Sequence, residues 1–172
     1  MDILCGYLRV PHGTDHGDPG AGPGQREVRL SIIRVLRDHL MIDSADPLSW
    51  RGRDLDFTGA TFDGGDFACV TFAAALDVFA AGRVSFRGAI FRSGYVSFHG
   101  TEFAGGEVTF EEARFELADV SFVAATFSGA RVSFRRAILN TGRVLFDARR
   151  SPAVHSPSTL RTSAAPRSPL TG

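Results

Sequence analysis

Phenylalanine recurs at fixed intervals through the middle of this 172-residue chain, and this spacing constrains the fold more than any other feature. All 15 Phe residues lie between positions 57 and 146. The first four are five residues apart, and from Phe86 to Phe134 the gaps alternate between five and seven; Leu139 then takes the place of a Phe before Phe146. A period kept this strictly indicates a repeat array, which has to be interpreted before any single motif.

From Phe86 onward, a Val, Ala or Thr stands two positions before each repeat Phe. Two residues with this spacing point to the same side of an extended backbone, whereas a helix would need apolar residues at spacings of three, four and seven. Gly, Ser, Asp and Arg lie between the pairs and are typical of turns or of solvent-facing positions. The pattern predicts an all-β solenoid in which each coil buries its Phe residues by stacking on the next coil.

The predicted core of this solenoid is a ladder of inward-pointing rings. Burial of one large apolar side chain contributes roughly 1.5–3 kcal/mol, so we expect the ladder to supply most of the stability. Its predicted members are Phe57, Phe62, Phe67, Phe72, Phe86, Phe91, Phe98, Phe103, Phe110, Phe115, Phe122, Phe127, Phe134 and Phe146.

Residues 56–60 (DFTGA) and 61–65 (TFDGG), followed by Asp66-Phe67, resemble the units of the pentapeptide-repeat family. Those units follow A-(D/N/T)-(L/F)-x-x, and the resemblance covers residues 52–148. It implies a right-handed quadrilateral β-helix with one pentapeptide on each face. The seven-residue gaps depart from the family pattern, and we interpret them as corners widened around Gly82, Gly94, Gly106 and Gly142. Because Ala118 and Ala130 take the Gly position in two units, we expect that a positive φ is not required there.

One five-plus-seven pair covers two faces, so a full turn should consume two such pairs. Side chains 24 positions apart would then lie about 4.8 Å from each other in neighbouring turns. Two columns read in this way alternate in charge, as pairing between neighbouring strands favours. They are Arg83, Glu107 and Arg131, and Arg87, Glu111 and Arg135.

The sequence on either side of the array predicts four segments. Residues 1–24 are expected to form a short helix and a flexible Gly/Pro loop, and residues 25–50 an amphipathic helix and linker that cover the first coil. The apolar face of that helix is predicted at Val28, Ile32, Val35, Leu36 and Leu40. Residues 51–148 are the solenoid. Residues 149–172 hold four Pro, five Ser, four Arg and no acidic residue, and we expect a disordered basic tail.

No catalytic arrangement is visible, so the sequence predicts a protein that is not an enzyme and needs no cofactor or metal. His12 and His16 lie with two aspartates in a Gly/Pro loop that offers no scaffold for a metal site. The recurring Ser or Thr before each Phe is predicted to face solvent, and none has a His at a recurring offset to act as base. Two cysteines cannot form a disulfide framework, and neither a leader nor a membrane-length apolar run is evident. We therefore expect a cytoplasmic location.

Three functional hypotheses follow. The first is a structural or protein-interaction module whose rigid faces meet an unidentified protein partner; exposure of the last coil adds the hypothesis of self-association through that end. The second comes from the family resemblance, which includes proteins that mimic DNA and bind the topoisomerase gyrase. Residues 51–148 carry 12 acidic residues against 10 Arg, a poor match to a DNA mimic, and the zero net charge of the chain disfavours nucleic-acid binding.

The third hypothesis is a peripheral membrane role. The predicted helix carries four arginines that would suit an anionic surface. The Arg-rich, Lys-free composition is typical of a high-GC source such as an actinobacterium, and related proteins with this layout carry membrane segments further upstream.

Overall fold

The computed structural model describes residues 2–10, 23–73 and 82–147. Two helices come first, α1 (Asp2–Arg9) and α2 (Pro23–Met41), so that α2 begins two residues before the predicted position. Fifteen strands of two or three residues follow within these described ranges. They are β1 (Leu55–Asp56), β2 (Thr61–Phe62), β3 (Gly65–Asp66), β4 (Thr71–Ala73), β5 (Arg83–Ser85), β6 (Ile90–Phe91), β7 (Tyr95–Ser97), β8 (Glu102–Ala104), β9 (Glu107–Thr109), β10 (Arg114–Phe115), β11 (Asp119–Ser121), β12 (Thr126–Ser128), β13 (Arg131–Ser133), β14 (Ile138–Leu139) and β15 (Arg143–Leu145).

The strands form four parallel sheets, each built from every fourth strand. Sheet 1 has the order β1-β5-β9-β13, sheet 2 β2-β6-β10-β14, sheet 3 β3-β7-β11-β15 and sheet 4 β4-β8-β12. The chain therefore visits the four sheets in rotation and adds one strand to each per turn. This topology is a repeat β-solenoid, as the Phe spacing predicts.

The predicted repeat of two five-plus-seven pairs per turn is confirmed from the second turn onward. Val96 pairs with Val120 and Val120 with Val144, each 24 positions apart. The first turn is different, since Thr61 pairs with Ile90, which is 29 positions further on. The corners of this turn are not widened, and its extra length lies in the connection from β4 to β5, where residues 74–81 are outside the described part of the chain.

Within the described residues, the Phe rings form four columns, one behind each sheet. Along sheet 1, the ring centroids of Phe57, Phe86, Phe110 and Phe134 follow one another at 4.9, 4.7 and 4.8 Å with nearly parallel planes. Rings of different columns meet edge to face or tilted; Phe110 of sheet 1 meets Phe122 of sheet 3 at 5.5 Å and 88°. The other columns are Phe62, Phe91 and Phe115; Phe67, Phe98, Phe122 and Phe146; and Phe72, Phe103 and Phe127.

Burial of the rings decreases toward the last turn. Phe57, Phe86 and Phe110 are completely buried. Phe127 and Phe134 are only partly buried, and Phe146 is 52% exposed although its ring stacks on Phe122 at 5.0 Å. Among the described residues, rings of the last turn have a neighbouring turn on one side only, which accounts for the difference from a uniformly buried ladder.

The recurring Ser, Thr or Asp before a Phe shapes the corner that follows, a role that the surface interpretation missed. At five corners the hydroxyl accepts a hydrogen bond from the backbone N–H two positions later, at 3.2–3.4 Å. The carboxylates of Asp56 and Asp66 do the same at 3.0 and 2.8 Å. Such side-chain turns stabilise a tight corner. The prediction that these side chains face solvent is wrong for Ser97 and Ser121, which are buried.

One position after each of these donor amides, the backbone has a positive φ. Glycine occupies this place at Gly59, Gly88 and Gly100, but Cys69, Glu112, Ala124 and Arg136 also adopt φ of 57–58°. Among the widened corners, Gly94 and Gly106 have positive φ while Ala118 and Ala130 do not. The expectation that a positive φ is not required at those two alanines is therefore confirmed.

The buried face of α2 is rotated from its predicted position. Ile32, Ile33, Leu36 and Leu40 are buried, whereas Val28 and Val35, predicted on the apolar face, are 45% and 42% exposed. The rotation follows from close packing of Ile33 on β3, because a Cβ built on Gly65 would come within 2.8 Å of the Ile33 Cδ1 atom.

Arginines of α2 bind the edge of the first turn. Arg26 donates from Nε to the carbonyl oxygen of Asp63 at 3.2 Å, and Arg37 donates from Nε to that of Ala68 at 3.3 Å. Edge strands present carbonyl groups that lack a strand partner, and these guanidinium groups supply the missing donors.

Arg29 joins three elements at the same edge. Its guanidinium donates to the carbonyl oxygens of Leu8 at 2.8 Å and Thr61 at 3.2 Å, and also to that of Val10. The side chain is buried, and burial lowers the pKa of Arg29, while the electrostatic interaction with Asp63 opposes that shift. Arg29 thus ties α1 and α2 to β2.

Candidate interaction surface

The outer surface carries ion pairs between neighbouring turns. Arg83 binds Glu107, its partner in the strand register, with 3.1 Å between the guanidinium nitrogen and the carboxylate oxygen. The backbone of Arg131 is in register with Glu107 on the other side. The column predicted from Arg83 is therefore present, with its members spaced as the repeat requires.

The second predicted column differs in its side-chain contacts. Arg87 pairs with Glu112 at 3.5 Å rather than with Glu111. Glu111 instead accepts a hydrogen bond from the Ser133 hydroxyl at 3.0 Å. The cause is the corner geometry, since both carboxylates lie where the backbone turns and Glu112 has a positive φ.

A partly buried ion pair joins the first and second turns. Asp63 is 7% exposed, and its carboxylate accepts two hydrogen bonds from Arg92, at 2.8 and 2.9 Å. The Ser93 hydroxyl donates a third at 3.1 Å. Two parallel hydrogen bonds from a guanidinium fix geometry as well as charge, so this pair holds the irregular first turn against the second. Sequence reasoning missed the pair because the two residues are 29 positions apart rather than 24.

Asp119 and Arg143 form a similar but more exposed pair on sheet 3. Arg143 donates to the two carboxylate oxygens at 3.1 and 2.7 Å. These hydrogen bonds lower the pKa of Asp119, and the same contacts raise the pKa of Arg143.

The lowered pKa of Asp119 predicts a pH-dependent effect on stability. A carboxyl whose pKa is lower in the folded protein stabilises the fold above its unfolded pKa, near 3.9, and this stabilisation is lost as the pH falls through the folded pKa. We therefore expect the Tm difference between the wild type and Asp119→Asn to be largest near neutral pH and to shrink below about pH 4. Thermal melts from pH 7 to pH 3 measure it, with Arg143→Gln as the matched variant. A Tm difference that stays constant across this range would contradict the assignment.

A groove of about 680 Å³ lies between α2 and the outer face of sheet 3. Leu30 and Ile33 of the helix form one wall, and Tyr95, Ser97 and His99 of the second turn form the opposite side. The Tyr95 side chain is 54% exposed, and Ser97 is buried. The groove exists because α2 packs on β3 in the first turn while β7 belongs to the next turn.

Two arginines and one acid also line this groove. Arg37 binds Asp66 at 3.5 Å, so the carboxylate is neutralised. Arg34 is exposed, and its guanidinium has no hydrogen bond or ion pair with the residues that the structure describes. The Ser97 hydroxyl accepts the His99 N–H at 3.3 Å, which occupies one of its two lone pairs. The groove therefore presents hydrogen-bond donors and a cation.

The last turn leaves an apolar edge. Ile138, Leu145 and Phe146 are 49%, 41% and 52% exposed, and no described residue packs over the outer edges of β13, β14 and β15. The predicted tail, residues 149–172, is outside the described part of the chain.

Other candidate chemistry is sparse. His12 and His16 fall in residues 11–22, outside the described ranges, and within those ranges no three or more His, Cys, Asp or Glu side chains are grouped so that they could hold a metal ion. Cys69 is exposed at a corner, and Cys5 is buried on α1. Of the two described helices, neither is long and apolar enough to cross a bilayer.

Comparisons with protein-family models, with curated proteins and with solved structures gave no significant match to this chain. The assignment as a β-solenoid rests on the strand pairing and on the columns of rings.

Proposed function

We propose that this chain is a non-enzymatic interaction module of the pentapeptide-repeat family. In this proposal the solenoid is a right-handed quadrilateral β-helix in the cytoplasm, α1 and α2 form its N-terminal cap, and its outer faces bind a protein partner. The supporting observation is the packing of the interior. Stacked rings 4.7–5.3 Å apart fill the interior in four columns. A ligand would therefore bind to the outer surface.

The outer faces suit recognition because their side chains are held at a fixed repeat. Each strand is paired on a neighbouring turn, and side-chain turns close the corners, so exposed residues sit on a rigid backbone. Rigid surfaces lose little conformational entropy when they bind. Repeat arrays use extended surfaces of this kind for macromolecular recognition.

A partner identified by affinity capture from the source organism and then tested in purified form would examine this proposal. We expect one purified protein to bind the full chain with a defined stoichiometry in calorimetry. The control is a full chain carrying Phe110→Ala, whose faces should lose their rigidity. Absence of any direct binding by the captured proteins would contradict the interaction role.

Mimicry of DNA for gyrase binding is the alternative, and the surface charges disfavour it. A DNA mimic needs acidic groups that stay unneutralised along its length. Here arginine pairs with Glu107, Glu112, Asp63, Glu116 and Asp119. A gyrase supercoiling assay separates the two proposals, since inhibition by the purified chain would favour mimicry.

A peripheral membrane role for α2 is also disfavoured. Arg26, Arg29 and Arg37 donate to backbone carbonyl groups of the solenoid or of α1, so an anionic lipid surface would have to compete for them. Co-sedimentation with anionic vesicles at low salt would show whether α2 binds lipid despite these contacts.

We further propose self-association through the last turn, on the basis of its apolar edge. A second copy would cover Ile138, Leu145 and Phe146 and would pair the unpaired strand edges. We expect Leu145→Arg to shift the full chain toward the 18.5 kDa monomer in sedimentation. Leu117→Arg is the matched control, because Leu117 is 69% exposed but lies in the third turn. A wild-type chain that is monomeric at high concentration would exclude this contact.

A further inference from the structure

The groove between α2 and sheet 3 combines an arginine that is free among the described residues with apolar side chains. Several arginines elsewhere pair with carboxylates of neighbouring turns, as Arg83 does with Glu107. The one carboxylate that lines the groove, Asp66, is already bound by Arg37 and by the backbone N–H of Ala68. Arg34 and the Tyr95 hydroxyl have no hydrogen-bond partner within the described residues. The groove therefore matches a ligand that brings acceptors and negative charge.

The walls of the groove add an apolar requirement. The half-buried Leu30 lines the helix side, where Ile33 is itself buried, and the Tyr95 ring is half exposed on the opposite side. An aromatic or large aliphatic side chain between them would bury apolar surface on both sides and would gain ring contacts with Tyr95. A ligand with carboxylates alone would leave this surface in water.

We propose that this groove binds an acidic peptide segment in which Asp or Glu residues flank an aromatic or large aliphatic side chain. Its carboxylates pair with Arg34, and the apolar side chain packs between Leu30 and Tyr95. This inference rests on the proposed interaction function and names the partner chemistry. A nucleic acid is a poorer match, because a phosphate backbone needs several free cations in a row and the groove offers one beside the carboxylate of Asp66.

The peptide Asp-Glu-Phe-Asp-Glu-Leu, blocked at both ends, is a suitable probe, with Asn-Gln-Phe-Asn-Gln-Leu as its uncharged match. Backbone amide shifts of the ¹⁵N-labelled full chain report where each peptide binds. We expect the acidic peptide to shift the amides of Gly65, Ser97 and His99, and the uncharged peptide to bind at least about fivefold more weakly, since charged hydrogen bonds are roughly twice as strong as neutral ones.

The paired variants are Arg34→Gln and Arg131→Gln. Both remove one exposed arginine, but Arg131 lies at the corner beside Gly129 and Glu107, away from the groove. We expect Arg34→Gln to weaken the acidic peptide about five- to tenfold and Arg131→Gln to leave its affinity unchanged. Equal effects of the two variants, or shifts spread over the whole surface, would mean non-specific charge attraction and would overturn the proposal.

Three further outcomes separate the peptide proposal from a small-molecule site and from the proposed interaction function. If 3-phenylpropionate binds as tightly as the hexapeptide, the groove recognises a small aromatic acid, and the peptide proposal is wrong. If a purified protein partner binds wild type and Arg34→Gln equally while the hexapeptide does not bind, the groove inference fails and the interaction function stands. If no protein partner binds, the proposed function itself fails.

Discussion

Replacing Phe110 by alanine should lower the free energy of unfolding by about 3–5 kcal/mol, the usual cost of removing a buried Phe ring. Phe110 is completely buried, and its ring lies between those of Phe86 and Phe134 at 4.7 and 4.8 Å. The cavity would have turns on both sides and could not collapse without shifting the strand register. Chemical denaturation with a two-state fit would measure the loss.

Arg87→Ala is the control for this experiment. The Arg87 side chain is 56% exposed and makes one ion pair, to Glu112 at 3.5 Å. Exposed pairs of this kind contribute about 0–1 kcal/mol, so the variant should melt close to the wild type. Equal destabilisation by the two substitutions would mean that the ring column does not carry the stability.

Gly82→Ala should destabilise the solenoid by about 1–3 kcal/mol through overpacking. A Cβ at Gly82 would come within 2.6 Å of the Gly52 carbonyl oxygen and 2.8 Å of that of Arg53. Both obstacles are backbone atoms of the preceding turn, so relief requires the two turns to separate. The φ of Gly82 is not in the left-handed region, and the effect is therefore one of space.

Gly88→Ala provides the contrasting case, because Gly88 has φ +61° and a Cβ added there would meet no atom within 4 Å. Its cost, about 1–2 kcal/mol, is that of the left-handed backbone. Asparagine tolerates this conformation, so Gly88→Asn should recover part of the loss while Gly82→Asn should not. If asparagine restored stability equally at positions 82 and 88, the distinction between steric overlap at Gly82 and backbone conformation at Gly88 would be contradicted.

The ring ladder could be predicted from the sequence because inward-facing positions recur at regular intervals along the chain. Each turn has to present one large and one small inward residue per face, so the requirement repeats along the chain. Val96 and Ala113, two positions before a Phe, are completely buried for this reason. The corners closed by side-chain turns could also have been recognised, since a Ser, Thr or Asp stands three positions before the residue with positive φ.

Other features depend on distances that the repeat does not encode. Asp63 meets Arg92 because the first turn is irregular, and a repeat of 24 positions would not bring them together. Because α2 packs against β3, Ile33 is buried and Val28 is exposed, although either residue could lie on the apolar face of an amphipathic helix. The groove lined by Arg34 and Tyr95 arises from that docking, so it is a property of tertiary structure alone.

In the proposed self-association, the asymmetry between the two ends of the solenoid would limit the size of the assembly. At one end, guanidinium groups of α2 occupy the carbonyl oxygens of Thr61, Asp63 and Ala68, so an incoming strand would find those acceptors already taken. Two copies that meet through their last turns would bury the apolar edge of each copy in one interface. Assembly would stop at a symmetric dimer. A fibre requires head-to-tail contacts between the two different ends, and at the first turn those acceptors are not free to make them.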